Sequence, residues 1–207
     1  MTDVSRALAQ IAAIHDQLAK AEIYRGWRSL PVACSGLIGI GAAAWQSAFM
    51  RPLEPLTFAV YWMAVAIAAL FVGCAEIAWH YVRHAGETDR RRSRRVIAQF
   101  LPALVAGVIV SAALVRLSPT LVVLLPGLWS LLFGVGIFAT RPYVLSASVW
   151  VAVYYWAAGL TLLWVAGGVD TLSPWSVGGT FGAGQLLAAM VLYWNLERRQ
   201  TNDTQEA

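Results

Sequence analysis

Six stretches of about twenty residues, each almost free of charge, recur along this 207-residue chain. That recurrence leaves few folds open, because a hydrocarbon layer about 30 Å thick takes about twenty apolar residues per helical crossing. The stretches fall near residues 30–49, 56–80, 96–117, 121–139, 143–166 and 175–195. Only 13% of the side chains are charged, about half the roughly 25% of a soluble domain. The expected fold class is an all-α integral membrane protein: a six-transmembrane-helix bundle preceded by an N-terminal amphipathic interfacial helix. Residues 1–29 form that cytoplasmic helix, 30–195 the bundle, and 196–207 a polar disordered tail.

Between the second and third stretches the chain reads Asp89-Arg90-Arg91-Arg92-Ser93-Arg94-Arg95, a third of its fifteen cationic side chains in seven residues. Loops dense in Arg stay on the cytoplasmic side, so this cluster sets the direction of every span. Six crossings place the N-terminal segment, the second and fourth loops and the C-terminal segment together. That side carries thirteen Arg and Lys, and the opposite loops carry only Arg51 and Arg116. An added or missing crossing would invert half the loops and erase the bias. Both termini are therefore expected in the cytoplasm, with the chain in the cell membrane (the inner membrane in a bacterium). Trp27, Trp79, Trp150, Trp175 and Trp194 fall near the predicted interfaces, where amphipathic rings collect. Three spans followed by three of opposite starting side is the count of an inverted repeat, but residues 30–117 and 121–195 show no similarity that supports one.

Within residues 3–25, Val4, Ala7, Ile11, Ile14, Leu18 and Ala21 recur at spacings of three and four, which makes one apolar stripe on a helix. Such a helix fits the membrane surface. Read instead as a coiled-coil or partner-binding helix, its small residues at the core positions make a weak zipper. In the fourth stretch Pro126-Gly127 predicts a kink.

Glu76, His80 and His84 stand at i, i+4 and i+8 on the second span. Side chains one turn apart converge, and a carboxylate with two imidazoles suits a divalent metal. Two turns cover roughly 11 Å of axis, however, which is too far for three ligands on one straight helix to share one ion. Ordinary interfacial solvation is the competing account, and Glu76 alone, if within the span, is costly enough to suggest a function. In the sixth span Gly178 and Gly182 share a face with Gln185 close by, a pattern of close helix packing or of a dimer interface. Ser35, Gly36, Gly39 and Gly41 repeat it in the first span.

No phosphate-binding loop, nucleophile elbow or zinc-helix motif occurs, so neither a catalytic residue nor a cofactor is expected. Cys34 and Cys74 lie inside apolar stretches and imply no disulfide framework. The positive charge sits beside the spans, where topology and anionic lipid account for it, so nucleic acid is not an expected partner. The chain is expected to be a non-enzymatic subunit, scaffold or sensor. Arg90, Arg91, Arg92, Arg94 and Arg95 would contact anionic lipid or a cytoplasmic protein, and a homo-oligomer is the other expected assembly. The alternative is a small transporter or channel for a solute, ion or metal that uses Glu76 and Gln185.

Overall fold

The structure, a computed structural model, describes residues 29–50, 54–84, 87–142, 147–166 and 172–194, with the backbone alone over 73–84 and 87–93. The described residues are helical and contain no strand. The elements are α1 (Ser29–Phe49), α2 (Pro55–His84), α3 (Glu87–Leu117), a 3-10 segment (Pro119–Leu124) that leads into α4 (Leu125–Ala139), α5 (Ser148–Ala166) and α6 (Pro174–Leu192). Six of the resulting spans are long and apolar enough to cross a membrane, and the chain is a multi-pass membrane protein. The amphipathic helix expected over residues 3–25 and the tail over 196–207 lie outside the described residues.

Helices consecutive in the chain pack side by side, and α1 closes the bundle by its extensive contact with α6. The centre belongs to the fourth span. Its 3-10 segment touches α2, α3 and α5 as well as α4, and 44% of the span is buried against 17–28% of the other five. Leu125, Val122, Ala43, Phe58, Ala59 and Trp62 form the core at the end of the bundle where α1 stops and α2, the 3-10 segment and α6 start, here called the far end. Nearer the other end the Phe133 ring meets Phe100, Tyr155 and Phe181 edge-on, with centroids 5.1, 4.8 and 5.2 Å away. Such edge-to-face pairs add to the dispersion contacts that hold a bundle together where water cannot drive association. Trp150, Phe71 and Trp164 are exposed on the outer surface, which is the lipid-facing position for large apolar side chains.

Two sequence expectations are corrected. The Arg cluster is not a loop: α2 runs for 30 residues to His84 and α3 for 31 from Glu87, with two residues between them. Arg is a good helix former, and Glu87 and Asp89 stand at the N-terminal end of α3, where negative charge favours a helix start. At about 1.5 Å per residue each helix reaches roughly 45 Å, against about 30 Å of hydrocarbon. The pair therefore extends beyond the bundle as a stem, at the end opposite the far end.

Nor does Pro126 kink a continuous helix. The break comes at the passage from 3-10 segment to α-helix between Leu124 and Leu125, and Pro126 occupies the first turn of α4, where its missing N–H has no intrahelical partner to lose. Gly127 serves the contact with α5: a methyl on its Cα would sit 2.7 Å from Leu163 Cγ and 3.0 Å from the Gly159 carbonyl oxygen.

Candidate functional site

The most extensive helix–helix contact in the bundle is between α1 and α6. Gly36, Gly39, Ala43 and Gln46, at spacings of three and four, are the buried residues of α1, and Gly178 and Gly182 lie on the facing side of α6. A methyl on Gly36 would stand 2.9 Å from Gln185 Cβ and 3.1 Å from the Gly182 carbonyl oxygen. One on Gly178 would land on the Gly39 carbonyl oxygen, and one on Gly182 on the Ile40 side chain. Small residues here let the two backbones nearly touch, which maximises dispersion where hydrophobic association is absent. Gly41, read in sequence as part of the same stripe, has nothing within 4 Å of its would-be Cβ and lies outside the contact.

Gln185 joins this contact to α5. Its Cβ rests on Gly36 and its side chain lies beside the Tyr155 hydroxyl. The same hydroxyl donates to the Phe181 carbonyl at 3.1 Å. Gly184 leaves room for the Tyr155 ring, which any Cβ there would overlap. Tyr154 donates to the Thr180 carbonyl at 3.0 Å. Gln185 is thus engaged within packed helices α1, α5 and α6.

Most interior polar groups are satisfied in this local way, as hydrocarbon requires. Trp129 Nε1 donates to Ser111 Oγ at 2.8 Å, and Ser111 Oγ donates to the Gly107 carbonyl at 2.6 Å. Ser130 bonds the Pro126 carbonyl and Thr140 that of Ile137. Among the described residues the buried side-chain exceptions are Ser148 Oγ, Trp62 Nε1 and both heteroatoms of Gln46. Gln46 is fully buried and Trp62 is 3% exposed. Sequence reasoning missed this pair. Its trace was present, because Gln46 continues the spacing of Gly36, Gly39 and Ala43, but a glutamine beside a serine near a loop also reads as interfacial.

At the other end, the backbone is helical through Glu76, His80 and His84, so their spacing puts them along one face of α2. Their side chains, and those of Arg90, Arg91 and Arg92, lie outside the described residues. Arg94 and Arg95 are exposed, and the next residue, Val96, is buried, so the part of α3 that packs into the bundle begins there. Among the described residues no three potential metal ligands cluster. The chain matches no protein-family profile, no curated protein and no solved structure.

Proposed function

We propose that this protein acts through contacts rather than catalysis, as a subunit, scaffold or sensor of the cell membrane. Its working surface is the stem formed by the outer parts of α2 and α3. One observation carries this reading: these two helices are about ten residues longer than the other spans, and the added length of α3 holds Arg90, Arg91, Arg92, Arg94 and Arg95. At 100° per residue the five occupy more than half the helix circumference. The charge rule puts that stem, with both termini, in the cytoplasm. A cationic collar at the membrane surface attracts anionic headgroups first, and an acidic protein surface would dock against the same charges. The interior supports the reading too, since among the described residues no Asp, Glu, Lys, Arg or His side chain is buried.

The test is site-specific photo-crosslinking in native membranes, with the crosslinker at Thr88 on the stem and, as control, at the lipid-facing Trp164. A discrete protein adduct from position 88, lost when the five arginines are changed to Gln and never formed from position 164, is the expected result. Solute flux through the reconstituted protein that Glu76→Gln abolishes, with no adduct at 88, would replace this reading with a transporter.

A further inference from the structure

Gln46 is the last residue of the buried stripe on α1 and lies three residues before the end of that helix. The stripe faces two helices at once. Ala43, one turn earlier, and the tip of the Trp62 ring both crowd Gly178, at 2.6 and 2.7 Å from a methyl built there. Gln46 therefore continues, one turn nearer the far end, the cleft in which Trp62 sits. The walls of that core are Phe58, Ala59, Val122 and Leu125, none of which can hydrogen-bond through its side chain.

Nearby polar groups are already committed. The Tyr61 hydroxyl donates to the Ala42 carbonyl at 2.7 Å, and the Ser47 hydroxyl bonds the Ala44 carbonyl at 2.9 Å. Trp129 offers the contrast within the same bundle, because its indole N–H has Ser111 as partner while that of Trp62 has none in the protein. A bundle that supplies a partner for one inward indole, yet leaves another indole and a fully buried amide without one, has hydrogen-bonding capacity left for a further molecule.

The donor and acceptor inventory says what. Gln46 Nε2 and Trp62 Nε1 offer N–H groups, and Gln46 Oε1 accepts. The complement is a molecule that accepts and donates through oxygen. It is neutral, since no ionised side chain is buried among the described residues. It is also small, since the core that holds Trp62 is closed to solvent, with Phe58, Val122 and Leu125 fully buried in it. We propose that Gln46 and Trp62 form an internal water site between α1, α2 and the 3-10 segment at the far end of the bundle, in which bound water links the two side chains. Internal waters characteristically make about three hydrogen bonds to buried groups that lack other partners, the number offered here.

Radiolytic hydroxyl-radical footprinting of the purified full-length chain in lipid nanodiscs tests this, because a radical born from a bound water oxidises the ring beside it even when bulk solvent cannot reach that ring. The reference is Tyr155, which is as buried as Trp62 but hydrogen-bonded within the protein. After correction for intrinsic ring reactivity, Trp62 is expected to be oxidised at least about fivefold faster than Tyr155, and Gln46→Leu is expected to remove the difference. Oxidation of Trp62 no faster than Tyr155 overturns the proposal. So does fast oxidation that persists in Gln46→Leu, since bulk water would then be entering. Slow Tyr155 oxidation in the variant reports an intact bundle. Gln46→Met serves if the leucine variant does not fold, and the wild-type comparison of the two rings decides alone if neither does.

Discussion

Gly178 and Gly39 face each other across the contact of the first and last helices so closely that a methyl on Gly178 would clash with the Gly39 carbonyl oxygen. The obstacle is backbone, which cannot rotate away as a side-chain tip can. Gly178→Ala is therefore expected to destabilise the bundle by about 1–3 kcal/mol, the usual cost of overpacking. Gly41→Ala is the control on the same helix, outside the contact: with open space around it, it should be neutral or raise stability by roughly 0.5–1 kcal/mol through the better helix propensity of alanine. Thermal unfolding in detergent, read by tryptophan fluorescence, checks both, and equal effects of the two substitutions would contradict the geometry.

The hydrogen bond from Trp129 to Ser111 gives a second expectation. Ser111→Ala leaves the indole N–H of a partly buried tryptophan without its partner, at a cost of about 1–3 kcal/mol. Trp129→Phe with Ser111→Ala removes donor and acceptor together, so the double variant should lose less than the sum of the single variants by about 0.5–1.5 kcal/mol. A double-mutant cycle in unfolding free energy measures this coupling, and additivity would show that the bond does not contribute.

How far the sequence foretold this molecule depends on which physical signal each residue carries. Hydropathy acts over twenty residues at a time, so the spans were legible: the first, expected over 30–49, is Ser29–Phe49, and the sixth, expected over 175–195, has its α-helix at Pro174–Leu192. Small-residue spacing marked Gly178, Gly182, Gly36 and Gly39, but which helix meets which is a tertiary fact, and Gly41 has the composition of the stripe without its orientation. Charge marked residues 90–95 as non-membrane and could not distinguish loop from helix, because arginine serves both. Pro126 was misread for want of the 3-10 segment before it, which no periodicity announced. Gln46 and Trp62 are each unremarkable in sequence, and become a pair only when α1 and α2 fold together.

Pro102 and Pro126 should behave differently. Pro102 lies inside α3, where its ring removes the bond to the carbonyl four residues back, whereas Pro126 lies in the first turn of α4, where no such bond exists. Pro102→Ala is expected to raise stability by about 1–3 kcal/mol, as a bond regained in hydrocarbon should. Pro126→Ala should change it by less than about 1 kcal/mol. Unfolding titrations of the two variants side by side give the comparison, and the reverse order would place the helix break at Pro126 after all.

Changing Arg90, Arg91, Arg92, Arg94 and Arg95 together to Gln separates their two roles. Eight cationic residues would remain on the predicted cytoplasmic side against Arg51 and Arg116 opposite, still a strong bias under the charge rule. Orientation should therefore survive. In a background with Cys34→Ala and Cys74→Ala, a cysteine at Thr88 should react with an impermeant maleimide only after the membrane is opened, with or without the arginines. The contact role should not survive. Near an anionic surface each arginine contributes about 1 kcal/mol, so the stabilisation that phosphatidylglycerol gives over phosphatidylcholine should fall by up to about 5 kcal/mol in the variant and fade in the parent as salt rises. Inversion of the labelling pattern would make the cluster the sole topological signal. An unchanged lipid dependence would remove anionic lipid as what the stem binds, leaving an acidic protein surface as its counterpart.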